Sequence, residues 1–400
     1  MSVKAGTKLD SNILIIGGGP VGATLALALQ AKGIPLTILE AREKAASHQD
    51  QRALALSYGS RLILERLGVW PELETHATAI EKIHISQRGS FGRTLLKAEE
   101  EGQPALGYVL PYGALSAALD RALDRFPQVQ MINNAEATFI EPGIDHASHH
   151  ATVAFKQAGA EKTMRSQLAI LADGGRSLGD IRGMQRETKD YGHDALVTKV
   201  QCELPHYNIA YERFTPAGPI ALLPNGERDF SLVWTGKSEA IGDLLQLEDG
   251  QFLASLHRHF GDRLGRFLQV GKRMRFPLRL AYLNPVTAPH LVVIGNAAQT
   301  MHPVAGQGFN VGLRDAWTLA DMIEETPSPA WGEAAMLHRY QQARRTDTRG
   351  GIFFTDFLVN VFSNEIAGLS ALRAGGLGLL DIAGPIKRRL VGKMSFGPTG

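Results

Sequence analysis

Cysteine is almost missing from this chain: Cys202 is the single one in 400 residues. That excludes an intramolecular disulfide and any cysteine-built metal or iron–sulfur centre. Charge imbalance is missing too, since 42 Lys and Arg stand against 40 Asp and Glu, a net +2. With aromatics at 7%, such a chain offers no case for nucleic acid, which calls for a basic patch with stacking rings. A small basic cluster near the C-terminus, Lys387, Arg388, Arg389 and Lys393, does not alter that balance. Uncharged runs of bilayer length are scarce. Ile13 to Ala31, "ILIIGGGPVGATLALALQA", holds 19 residues without a charge, but Gly17, Gly18, Gly19 and Pro20 cut it into a short β-rich piece and a helical piece. No basic segment with a small-residue cleavage site precedes it, so the expectation is a cytoplasmic protein without a spanning helix.

What the chain does have is length, apolar content and glycine in particular places. At 400 residues and 44% hydrophobic it exceeds the size at which single cores stop growing, which predicts two domains. The run at Ile13 reads as strand, turn and helix, the opening of a βαβ unit. Gly17, Gly19 and Gly22 fit G-x-G-x-x-G: the first makes the tight turn, the second admits a pyrophosphate, the third lets helix and strand pack closely. The next strand, "LTILE", ends in Glu40, 18 residues beyond Gly22, where an acid can accept both hydroxyls of an adenosine ribose.

A dinucleotide site of this kind serves NAD or FAD. Two later segments favour FAD. "LAILADGGRS" is an apolar strand ending at Asp173-Gly174, and "HLVVIG" leads into "GNAAQTMHPVAGQGFNVGLRDA", Gly295 to Ala316, whose glycines imply a backbone passing close to a ligand. Three strand ends then converge on one extended cofactor, with Gly306-Gln307-Gly308 and the following helix offering backbone N–H groups to an electron-rich edge. A nicotinamide dehydrogenase has no need of that third element.

Together these segments resemble the class A flavoprotein aromatic hydroxylases, the group typified by p-hydroxybenzoate hydroxylase. "QRALALSYGS" (Gln51 to Ser60), "YERFT" and the stretch to Pro224, and the Gly295 segment most resemble the ubiquinone-pathway branch, of the 2-octaprenyl-6-methoxyphenol hydroxylase type. The resemblance implies an α/β fold: a Rossmann-like FAD-binding domain of the glutathione-reductase type, an inserted β-sheet substrate domain and a helical C-terminal tail. It implies that Gly17, Gly19, Gly22 and Glu40 hold the ADP half of FAD, with Arg52 near the pyrophosphate. Asp173 and Gly174 match the family's Asp-Gly motif. Gly295 and Asn296 match its Gly-Asp motif, with an amide where the family carries an acid. His302 and Pro303 are expected beside the flavin ring, and Gly306, Gln307, Gly308, Phe309 and Asn310 along its pyrimidine edge. Tyr112 stands where many relatives have Arg or Gln, which puts one pyrophosphate contact in question.

The implied chemistry is the cofactor's. NADH or NADPH, bound transiently because no second G-x-G-x-x-G follows a strand, reduces FAD; the flavin captures O2 as a C4a-hydroperoxide and passes one oxygen atom to a phenol ring. The substrate implied is a polyprenylated phenol. A base or acceptor for the phenol is needed, and Tyr211, Glu212 and Arg213 are the candidates, with Tyr211 and Arg213 joining His302 and Pro303 as the expected catalytic set. The competing readings are a flavin-dependent reductase or oxidase of the same fold, and an FAD-bearing lipid-handling scaffold subunit.

Domain bounds follow from the motifs: residues 10–75, 106–181 and 276–345 for FAD, 76–105 and 182–275 for substrate, and 346–400 for the tail. "IDHASHH" suggests metal ligation through His146, His149 and His150, but its polar context reads as an exposed hairpin and no acid–histidine partner set is evident elsewhere, so no metal is expected. The tail segment Leu377 to Lys393 runs apolar residues into the basic cluster, the pattern of an amphipathic segment on anionic lipid. Peripheral membrane contact, or delivery of substrate by other ubiquinone-pathway proteins, is the expectation.

Overall fold

The computed structural model describes residues 10–89, 93–143, 149–179, 181–215, 218–300, 307–345, 391–393 and 395–397. Its first sheet grows around the strand Ser11–Ile16. Parallel neighbours are Ala160–Leu171 and Thr37–Glu40, and beyond them Leu291–Val293 and Gln130–Asn133. Ile13 and Ile15 point into one core, Leu14 and Ile16 into another, and all four are essentially fully buried. A strand covered on both faces has no solvent side, which is why "ILII" carries no alternation of polar residues. Helices Pro20–Gln30, Tyr112–Leu123 and Gln307–Glu325 supply Leu25, Leu119 and Leu319 to the first core. The antiparallel strands Ala135–Glu141 and Ala151–Gln157 cover the second with Ile140, Val153 and Phe155.

The opening helix begins at Pro20, whose fixed φ suits a first turn, and ends before Gly33 at φ 72°, a left-handed position that suits glycine. The run flagged for its hydrophobicity is therefore a buried strand and helix, and no described helix is long and apolar enough to cross a membrane.

The second sheet has nine strands. Its central path runs from Met274–Asn284 through Gln185–Cys202, Asp229–Lys237, Ile220–Pro224 and Ile209–Phe214 to Lys82–Gln87 and Arg93–Lys97. Helix Asp249–Phe260 covers one face, setting Phe252, Leu256 and Phe260 against Leu196, Leu222, Leu232 and Trp234. The sequence assigned residue 276 onward to the FAD side, but Met274–Asn284 pairs along Gln185–Cys202, so the second sheet runs on to Asn284. The short strand Gln299–Thr300 then joins the same sheet by pairing with Ala281 and Tyr282. A small third sheet, Ala53–Ser57 with Gly107–Pro111 and Thr78–Ile80, lies between: its Val109 and Ile80 pack on Ala210 of the second sheet.

Candidate functional site: a backbone cradle beside an apolar sheet face

Three glycines of the first turn divide the labour by geometry. Gly17 has φ 105°, and a Cβ there would stand 2.6 Å from the Asp173 Cα. A Cβ on Gly22 would stand 2.0 Å from the Gly17 carbonyl oxygen. At Gly19 nothing comes nearer than 3.7 Å, the distance at which the Arg42 guanidinium and then the Tyr112 hydroxyl begin. Gly17 and Gly22 thus close the backbone on itself, whereas Gly19 faces open space at the start of a helix that has no side-chain cap and no acid in its first turn. Uncapped N–H groups and the positive end of the helix dipole are what a pyrophosphate requires.

Glu40 lies beside this space. Its Oε2 accepts from the Gly18 N–H at 2.7 Å, and its Oε1 accepts from the Arg42 N–H and Nε at 3.0 and 2.7 Å. Burial by itself would push this carboxyl upward, but the Arg42 hydrogen bonds and charge, with the Gly18 N–H, hold it below its ordinary value. It is an ionised acceptor with lone pairs left for ribose hydroxyls. Gly18, Glu40, Arg42, Ser116 and Asn133 line the cleft that would take the adenosine. Arg42 was missed in the sequence because no motif position calls for it; a basic residue two places after the strand-ending acid was the available signal. Tyr112 is the other revision: Arg42 reaches its hydroxyl and Arg52 stacks over its ring at 5.4 Å from the centroid, so it takes up the gap beside Gly19. Arg52 also pairs with Asp50 through Nε and Nη2.

The remaining cofactor positions form a second wall. Asp173 is spent locally, its carboxylate accepting from the Gly175 and Ser177 N–H groups at 2.8 and 2.7 Å, which folds the turn at Gly174. Gly295, at φ 64°, donates its N–H to buried Asp315 at 3.0 Å, and Asp315 pairs with the guanidinium of buried Arg344. Asn296 is exposed, with its amide oxygen 3.8 Å from where a Cβ on Gly308 would lie. Gln307 opens the long helix and Phe309 packs against the first core. The Asn310 side chain has a structural part that the sequence did not show. Its amide oxygen accepts from the Ser57 N–H and the Ser60 hydroxyl at 2.8 and 2.7 Å, and its nitrogen donates to the Ala55 carbonyl at 3.0 Å. It is a buried brace that ties the helix to the third sheet, and its side chain points into protein instead of along a flavin edge. His302, Pro303 and Gly306 lie outside the described residues.

On the second sheet, Tyr211 and Arg213 also require correction. Tyr211 is buried on the helix-covered face with its ring edge on Phe260 and tilted toward His84 and Phe230; burial pushes its hydroxyl upward. Arg213 shares that face and donates to the His259 carbonyl of the covering helix. Both serve packing. Glu212, between them, points to the opposite face.

The histidine expectation changes as well. The fold brings His149 to Glu333 at 3.3 Å and to buried His290, whose Nδ1 lies 2.7 Å from the Gln167 carbonyl. An acid–histidine set therefore does exist among the described residues, at the end of strand Leu291–Val293 away from Gly295, and His149, 78% exposed, puts it at the surface.

An uncapped helix start at an open glycine and an acidic strand end fit the ADP portion of FAD, and two further glycine turns pack beside them, at Asp173 against Gly17 and at Gly295 against Val21. Residues 10–350 match the family described as FAD binding domain, and the chain belongs to that family. It is an FAD-dependent monooxygenase of class A. Within this class it is similar to ubiquinone hydroxylase UbiL of Rhodospirillum rubrum, 35% identical over 97% of this chain and 91% of the relative. It is also similar to 3-demethoxyubiquinol 3-hydroxylase of Escherichia coli, 32% identical over 96% and 98%. Among solved structures, p-nitrophenol 4-monooxygenase PnpA from Pseudomonas putida covers 98% of this chain and 100% of its own at TM-score 0.78 and 15% identity, a likeness of fold.

Proposed function

We propose that this chain hydroxylates the ring of a polyprenylated phenol in ubiquinone synthesis, taking electrons from NADH or NADPH and one oxygen atom from O2. The observation that carries this reading is the placement of a largely apolar, partly exposed sheet face that packs toward the elements carrying the backbone cradle, in a chain that matches ubiquinone hydroxylases over nearly its whole length. Bound FAD supplies the oxygen activation. The protein's part is to hold the ring and to keep water away from it, and apolar side chains on a rigid sheet do both. Gly19, the first helix and Glu40 hold the ADP half; Gly174, Asn296 and Gly308 line the path toward the ring.

A lipid-soluble tail on the substrate also needs a route in. Lys387, Arg388, Arg389 and Lys393 support contact with anionic lipid, with handover from other ubiquinone-pathway proteins as the alternative. Val391 is no lipid contact: it is buried with Leu96, Ala98 and Leu106. The test of the central reading is product mass under ¹⁸O2 with short-chain 2-prenyl-6-methoxyphenol. One labelled oxygen in the product is expected, and an unlabelled product would overturn the assignment.

A further inference from the structure

The strand Ile209–Phe214 shows two different sides. Tyr211 and Arg213 are covered by helix Asp249–Phe260 and its neighbours, as described. On the other side the register sets Glu212 opposite Ile85 and Ala221, and continues through Val233 and Val197 to Met274. All six residues of this row are partly exposed. The adjoining row on the same face starts at Lys199, which pairs with Asp229, and continues through Ser231, Leu223, Ala210 and Ile83 to Leu96. Among the described residues, Glu212 is thus an ionisable side chain whose neighbours along the strand and across it on this face are uncharged. Among the described residues it has no hydrogen-bond or ion-pair partner, whereas Glu40 has Arg42 and Asp194 has Arg275.

That face looks toward the cofactor domain. Ala210, two residues before Glu212 on the same side, packs on Val109 and Ile80 of the third sheet, and Asn310 ties that sheet to the helix beginning at Gln307. Farther along, Leu280 of the second sheet touches Val311 of the same helix. An unpaired carboxylate on an apolar wall is costly to maintain unless a ligand completes it.

We propose that Glu212 accepts the phenolic O–H of the substrate and lies directly against it. This rests on the hydroxylation proposed above. The proton passes from the phenol oxygen to a Glu212 carboxylate oxygen; the phenol's O–H bond breaks, the electron pair stays on the ring oxygen, and no oxidant is consumed in this step. The ring gains electron density where an oxygen atom is to be received. Burial pushes the Glu212 carboxyl up to about 7, which brings it closer to a phenol than an ordinary carboxylate and makes sharing of the proton favourable. Tyr211 and Arg213 cannot serve, since their side chains are on the covered face.

The test compares the FAD-loaded wild type with Glu212→Gln, using short-chain 2-prenyl-6-methoxyphenol and its O-methyl ether, which has the same shape and no O–H. Equilibrium binding is read first, then product formed per NAD(P)H oxidised. The wild type is expected to bind the phenol about tenfold or more tighter than the ether, the worth of one hydrogen bond to a charged acceptor, and Glu212→Gln, which keeps only a neutral acceptor, to lose most of that preference along with most of the coupling. A wild type that does not distinguish the two ligands, or a Glu212→Gln protein whose preference is undiminished, overturns the proposal. Should Glu212→Gln fail to retain FAD, Glu212→Asp is judged by the same preference, which withdrawal of the carboxylate by one methylene is expected to weaken. Phenol preference that depends on Glu212 in a wild type yielding no hydroxylated product would keep this proposal and overturn the hydroxylation reading instead.

Discussion

Glu40 and Glu212 are both half-hidden carboxylates on strands, and their surroundings drive them in opposite directions. Glu40 receives the Gly18 N–H, the Arg42 N–H and the Arg42 guanidinium, and stays ionised well into acid. Glu212 receives nothing from the described residues and is pushed up to about 7 by burial. The first belongs to a region in which the carboxylate is already held by a backbone N–H and a guanidinium before a ligand arrives. The second belongs to a region that leaves one polar group unsatisfied among apolar ones. A site that binds a permanent, charged cofactor and a site that takes a neutral phenol in each turnover call for these two opposite solutions.

The largest effect that breaks the comparison is expected at the glycines. Gly22→Ala puts a methyl group 2.0 Å from the Gly17 carbonyl oxygen, with backbone on both sides and nowhere to yield. A loss of about 4 kcal/mol or more is expected, the range of severe overpacking, seen as failure to accumulate folded protein. Gly19→Ala is the informative partner. Its φ of −65° suits alanine and no atom lies within 3.7 Å, so thermal unfolding of the FAD-free protein should move by no more than about 1 kcal/mol while FAD content falls sharply. Full retention of FAD by Gly19→Ala would show that Gly19 does not face the pyrophosphate.

How much of this was legible differs between the two regions for a physical reason. The cradle follows from local constraints, because a turn that needs φ 105° at Gly17 and close contact at Gly22 writes itself into a short glycine spacing. Alternation in "YERF" separates Tyr211 and Arg213 from Glu212, but nothing in the strand says which side a helix 38 residues later will cover. The expected pair Tyr211 and Arg213 therefore fell on the face that the helix covers. The bracing part of the Asn310 side chain was hidden for a related reason: its partners Ala55, Ser57 and Ser60 lie about 250 residues earlier in the chain, a separation that no local pattern encodes. The same holds for the acid cluster of His149, His290 and Glu333, assembled from three distant segments.

An intermediate effect is expected at Asp315, which supports the Gly295 turn from behind. Asp315→Asn keeps the shape and an acceptor for the Gly295 N–H but removes the negative charge from its buried pair with the Arg344 guanidinium. Removing one partner of a buried pair costs about 3 kcal/mol, more than an exposed pair would. Chemical denaturation of the FAD-free protein measures it, and a shift under about 1 kcal/mol would show that water or a neighbour screens the pair. The result sharpens the comparison, since it tells whether the cradle's rigidity is stored in this ion pair or in the glycine contacts alone.

The smallest effect compares the two carboxylates directly, through the pH dependence of stability. Folded Glu212 keeps its proton up to about 7, while the unfolded chain releases it near 4.5. Between these values the folded state binds more protons, so this group makes stability fall as pH rises. Glu40 has the reverse sign: held below its ordinary value by Arg42, it contributes stability that is present above the normal carboxylate range and is lost as pH falls through its depressed value. Glu212→Gln should therefore gain on the wild type as pH is raised from 4.5 to 8, by on the order of 2 kcal/mol, and match its acid limb. Arg42→Met should do the opposite, leaving the neutral slope in place and shrinking the acid loss, because Glu40 without its partner is no longer held below its ordinary value and the stability that this depression contributes above the carboxylate range is already absent. Parallel curves for the wild type and Glu212→Gln across this window would mean that the Glu212 carboxyl is solvated well enough to titrate as an ordinary acid, and the contrast between the two regions would then rest on geometry alone.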